Sequence, residues 1–186
     1  MTARSPVGVV LSLSLSLGAV TACGPPPPTE PLALVDHALW RRAAPEDDPF
    51  SAEPEVAASP CDDAGFRVEA PVLEVSTAAC DHITLTQPSL APVRSGDLVH
   101  AVAWHVLLSA PEPAEGHMAI ALGDDVIWEY RVDIPADEAI LKPYVEVNEA
   151  FDAGTPVRFH VHNHGDNEWK LLEITTGPRE VYDDAP

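Results

Sequence analysis

The chain is predicted to fold as an all-β protein, an antiparallel β-sandwich of about eight strands that follows a disordered tether. Three observations predict it. Past Cys61, short runs rich in β-branched and aromatic residues return about every ten residues. Turn residues separate these runs: Gly96-Asp97, Gly123-Asp124-Asp125 and Gly154-Thr155-Pro156. No stretch beyond Cys61 keeps a sustained helical period, and the only helical candidate, Ala136–Leu141, has room for about one or two turns.

With 186 residues, the chain holds one domain with appendages. Acidic residues outnumber basic ones 30 to 10, a formal net charge of −20. That charge argues against nucleic acid and anionic lipid as partners, both of which it repels, although an acidic, Ala- and Pro-rich composition carrying no meaning for partners is the preferred reading.

The elements follow in chain order. Arg4 lies in a short polar start, and Val7–Val20 is an apolar run with interspersed serines, too short for a typical spanning helix. It ends in Val20-Thr21-Ala22-Cys23. The pattern reads as an export signal, and the tetrapeptide resembles the lipobox of bacterial lipoprotein precursors. The resemblance implies that residues 1–22 are a cleaved signal peptide and that the Cys23 sulfur is lipidated, making the lipid membrane a partner. Gly24 stands where an Asp would mark inner-membrane retention, which implies the outer membrane of the cell envelope.

Residues 23–60 read as a tether. Gly24–Pro31 is a stiff polyproline spacer. In residues 32–44 the spacing of Leu32, Val35 and Leu39 predicts one short helix, with Arg41 and Arg42 suited to its C-terminal end. Whether it docks on the domain, lies at the membrane surface or stays disordered is left open. Pro45–Pro60 is acidic and Pro/Ala-rich and continues the tether. Residues 61–178 form the sandwich, with strands expected at Phe66–Val75, Ile83–Gln87, Leu98–Leu108, His117–Leu122, Val126–Val132, Tyr144–Val147, Val157–Val161 and Trp169–Thr175. Residues 179–186 are an acidic tail.

Three cysteines are present. With Cys23 lipidated, Cys61 and Cys80 remain as a pair in an oxidising compartment, where a disulfide is expected. Closing a loop of about twenty residues stabilises by about 3 kcal/mol in the chain-entropy description.

The densest chemistry lies in Ala153–Trp169. Val157, Phe159 and Val161 alternate with Arg158, His160 and His162, and His164 follows in an Asn/Gly/Asp-rich turn. One reading makes Arg158, His160 and His162 the solvated face of an amphipathic strand. The other is a Zn(II) or Cu(II) site, for which two neighbours among His160, His162 and His164 need a ligand from an adjacent strand such as His100, His105 or His117. Same-face neighbours on a strand are roughly 6.6 Å apart, so all three of the run reach one ion only if the chain bends at Asn163.

Gly154–Phe159 followed by Asn163-His164-Gly165 resembles cupredoxin sandwiches. The resemblance implies a cupredoxin-like or immunoglobulin-like topology, with a jelly roll the other option. Trp169 stands near where such a protein places a copper-binding histidine, and no Cys, His and Met cluster follows, so no blue-copper centre is expected.

Amphipathic rings offer a second surface, as stacking platforms for sugars. Val126, Trp128, Tyr130 and Val132 share a strand face that reads as core, which leaves Trp104 and Trp169, together with Arg158, as candidate ligand contacts. No Gly-x-Ser-x-Gly elbow, P-loop or dinucleotide-binding pattern occurs, and no catalytic residue is assigned. The expected function is a membrane-anchored, non-enzymatic binding or structural domain for a protein, small-molecule or carbohydrate partner. The alternatives are a periplasmic Zn/Cu-binding protein and, third, an exported hydrolase.

Overall fold

The computed structural model describes residues 28–51 and 59–183. The expected signal segment and Cys23 lie outside the described residues. The described residues form an antiparallel sandwich built from β1 (Leu32–Ala33), β2 (Arg41–Arg42), β3 (Phe66–Glu69), β4 (Val72–Ser76), β5 (His82–Pro88), β6 (Leu98–His105), β7 (Ala114–Leu122), β8 (Asp125–Ile134), β9 (Ala139–Leu141), β10 (Tyr144–Glu146), β11 (Pro156–His162), β12 (Glu168–Gly177) and a short α-helix, α1 (Glu180–Asp183). A seven-stranded sheet runs β10-β6-β12-β4-β3, with β1 added to β12 and β9 to β6; a five-stranded sheet runs β2-β5-β11-β7-β8.

Alternation decides which side chains fill the space between the sheets. From the five-stranded sheet come Ile83, Leu85, Met118, Ile120, Val157, Phe159 and Val161; from the other come Leu73, Val75, Ala101, Ala103, Trp169, Leu171 and Ile174. Every expected strand is present. The run Phe66–Val75 is cut into the hairpin β3–β4 around Pro71, because proline has no N–H for a ladder.

Three expectations for the backbone are corrected. Residues 32–44 are not a helix. β1 pairs with β12 and β2 pairs with β5, so this segment crosses from one sheet to the other, with a single 3-10 turn at His37–Leu39 capped by Asp36 between them. Open ladder positions at both ends, and burial of Leu34 and Trp40 in the core, outweigh the weak helical period. The folded unit therefore starts well before Cys61. Finally, Ala136–Leu141 holds strand β9 against β6 rather than a helical turn.

Cys61 and Cys80 form the expected disulfide, closing 19 residues of sequence separation. It anchors the segment that precedes β3 beside β5, where Cys61 N–H donates to the His82 carbonyl at 2.8 Å. The turn after β11 is held by buried amides. Asn163 Nδ2 donates to Thr77 Oγ1 at 2.8 Å, Asn167 Nδ2 donates to Ser109 O at 2.9 Å, and Asn167 Oδ1 accepts from Ser109 N–H at 2.8 Å. Gly165 sits at φ +101°, and a Cβ there would overlap the Ser109 carbonyl oxygen, so only glycine closes this turn.

Candidate functional site

The outward face of the five-stranded sheet is a grid of polar side chains fixed by strand register. His162 on β11 stands opposite His82 on β5 and His117 on β7. One pair along, His160 lies opposite Thr84 and Ala119, and Arg158 lies opposite Thr86 and Ala121. The predicted alternation on β11 is correct, but the face is not solvated. Arg158, His160 and His162 are 5%, 0% and 1% exposed.

The chain after β2 provides part of the cover. Phe50, itself buried, rests on Ala119 and Ala121, whose small side chains leave room for a ring. It stacks on His160 with centroids 4.3 Å apart and meets His117 edge-on at 5.9 Å. His160 Nδ1 is 2.7 Å from Thr84 Oγ1, whereas its Nε2 has no hydrogen-bond partner among the described residues. Burial pushes the His160 imidazole well below its usual range, and neighbouring His117 and His162 add to the shift. His117 Nε2 is 3.3 Å from Glu129 Oε2.

At the end of β11 the cover opens. His162 and His164 meet with centroids 5.0 Å apart, His82 and His162 at 6.2 Å, and His164 Nδ1 is 3.8 Å from Asp81 Oδ1. The bend at Asn163 turns His164 back beside its neighbour. His82 also lines an open groove of about 620 Å³ with Asp48, Ser51, Pro60 and Thr84. Burial lowers the His82 pKa, opposed by Asp48 and Asp81. As the side chains stand, no three His, Cys, Asp or Glu among the described residues enclose an ion position.

Several candidate residues are relocated. His105 belongs to β6 and points into the core, its Nε2 3.3 Å from the Tyr130 hydroxyl, so it cannot join the histidines of the opposite sheet's outer face. His100 is likewise on the seven-stranded sheet. Trp169 is fully buried against His105, at 4.9 Å, because its position on β12 alternates with outward-facing Lys170; it is core, not a ligand platform. Arg158 donates to the Gly123 carbonyl and lies 3.6 Å from Asp124, committed to the turn between β7 and β8. Sequence reasoning named His117 as a neighbour but missed His82, whose position after Asp81 at the start of a strand was its only signal.

The outward face of the seven-stranded sheet differs in kind. Half-buried Trp104 on β6 lies opposite Ile140 of β9 and Lys170 of β12. Ile140 is 72% exposed. Four residues back along β6, His100 lies under Tyr144 of β10, stacked at 4.0 Å, and Tyr182 of α1 meets both rings. Tyr144 remains half exposed. Exposed Glu173 stands opposite Val102, midway between the two aromatic stations. Lys170 donates to buried Glu74 at 2.6 Å, and Arg67 pairs with the same carboxylate.

No family model matches the chain, and no curated protein matches it. Among solved structures, a protein described as "CBM4 structure and function" is 14% identical with a TM-score of 0.43, covering 80% of this chain and 94% of that one. The K3 cleaved adhesin domain of Lys-gingipain from Porphyromonas gingivalis is 9% identical with a TM-score of 0.44, covering 78% and 94%. TmCBM61 in complex with beta-1,4-galactotriose is 9% identical with a TM-score of 0.40, covering 75% and 88%. At these identities and TM-scores, nothing about ligand or activity passes from them to this chain.

Proposed function

We propose that this protein is an exported, lipid-anchored envelope module whose β-sandwich binds an extended oligosaccharide, without catalysis, on the outward face of its seven-stranded sheet. The observation that carries the reading is the pairing of two aromatic stations on that face. Trp104 and the Tyr144–His100 pair are four residues apart along β6, or roughly 13 Å at strand rise. Each presents a ring to solvent beside polar side chains. Indole and phenol rings stack on the apolar C–H faces of sugars, while Glu173, opposite Val102, offers hydrogen bonds to hydroxyls between them. Two stations at that spacing favour a chain of sugars over a single one. The lipobox-like Val20–Cys23 supports the anchor, and the spacer that follows holds the domain off the membrane.

Retention on a panel of polysaccharide affinity gels tests the ligand class. The wild type is retarded on at least one gel, and Trp104→Ala abolishes the retardation while its circular dichroism stays that of the wild type. Equal mobility of wild type and Trp104→Ala on every gel would falsify the carbohydrate reading. Detergent phase partitioning tests the anchor: the mature protein enters the detergent phase, and Cys23→Ser leaves unprocessed precursor or aqueous protein. A wild type found wholly in the aqueous phase removes the anchor from the proposal.

A further inference from the structure

We infer that His82, His162 and His164, together with the Asp81 carboxylate, bind a divalent transition-metal ion of the imidazole-preferring kind, zinc or copper, at the open end of the histidine face. The site is independent of the carbohydrate face, which lies on the other sheet. Its donor set is three neutral imidazoles and one carboxylate, the number and type that such ions take in closed protein sites.

Two of the pair spacings are near those of ligands on one ion. Two imidazoles on one tetrahedral zinc, with Zn–N of about 2.0–2.1 Å, place their ring centroids roughly 5 Å apart. His162 and His164 stand at 5.0 Å. Ligand atoms on such an ion are roughly 3.3 Å apart, and His164 Nδ1 and Asp81 Oδ1 are separated by 3.8 Å. His82 is the outlier, its ring 6.2 Å from that of His162. Strand register already puts His82 beside His162, so closing the set calls for rotation of this side chain and not for a change in pairing.

A second observation points to a ligand here. His82 is 8% exposed, and its Nδ1 has no hydrogen-bond partner among the described residues. A buried polar atom left unpaired costs about 1–3 kcal/mol, and an ion at this position removes that cost. The groove of Asp48, Ser51, Pro60 and Thr84 reaches His82 from solvent, and half-exposed His164 opens the other side, so an ion has a path in. Asp48 and Asp81 both act on His82 in the sense that favours positive charge. Deeper in, His160 and His117 lie under Phe50 and are closed to solvent.

The test uses the exported protein without a histidine tag, titrated calorimetrically with zinc chloride and separately with copper sulfate at physiological ionic strength, where diffuse attraction to the acidic surface is screened. At least one ion binds one-to-one with submicromolar affinity. His164→Ala, in an exposed turn, and Asp81→Asn each weaken that binding at least tenfold, and His82→Gln does the same. Trp104→Ala leaves it unchanged, which separates this site from the carbohydrate face. Affinity weaker than micromolar for both ions, or wild-type affinity in the folded His164→Ala variant, overturns the inference.

Discussion

Replacing Phe50 with Ala uncovers the histidine face from its middle. The ring is 3% exposed, lies on Ala119 and Ala121, and stacks at 4.3 Å on His160. Core Phe→Ala substitutions cost about 3–5 kcal/mol. Here the ring belongs to a covering segment held by the two-residue β2 and by Arg42, whose guanidinium donates to the Cys61 carbonyl at 3.0 Å. That segment can lift away locally, so the loss is expected near the lower bound, about 3 kcal/mol. Urea unfolding followed by tryptophan fluorescence measures it. Burial is the main cause of the depressed His160 pKa. In Phe50→Ala the His160 ring should therefore titrate closer to the usual 6.5, a change readable by NMR of the imidazole protons. Unchanged stability together with an unchanged His160 titration would refute the role given to Phe50.

Acid should destabilise the fold. His82 and His160 have folded pKa values below the unfolded 6.5, so the unfolded chain binds more protons below that pH. Stability is full above about 6.5 and falls as pH drops from there toward the depressed folded values; a urea midpoint that rises from pH 7.5 to about 5 contradicts this. Cys61→Ala/Cys80→Ala opens a 19-residue loop and should cost about 3 kcal/mol, or roughly 6–12 °C in Tm by calorimetry. No change in Tm would mean that Arg42 and the neighbouring backbone bonds anchor the Cys61 segment alone. Gly165→Ala forces a positive φ on a residue with a Cβ and pushes it into Ser109, so a loss of at least about 2 kcal/mol is expected. A neutral effect in thermal melts would show that the turn relaxes freely.

Periodicity carried most of the fold. Strict alternation from Val157 to His162 assigned every side chain of β11 to its correct face, and Trp128 and Tyr130 were likewise read as core. Val126 was misassigned with them, because a bulge between its partner pair and the next moves it outward to 40% exposure. Burial of the histidine face was not legible. A strand that alternates polar and apolar residues looks solvated, and nothing in β11 itself announces that Phe50, about 110 residues earlier, lies across it. The true neighbours of His162 depend on strand order, so His105 and His117 looked equivalent until β7, not β6, proved adjacent to β11. Trp104 and Trp169 were similarly balanced as sequence features. Only the pairing of β12 with β6 shows that one faces out and the other fills the core.

The outward face around Trp104 is most directly examined by following the indole N–H resonances of all four tryptophans while titrating with an oligosaccharide that elutes the protein from its affinity gel. Saturable movement of the Trp104 resonance, with that of buried Trp169 nearly still, is the predicted result. Saturable shifts at other tryptophans with Trp104 unmoved would place binding elsewhere and contradict the proposal.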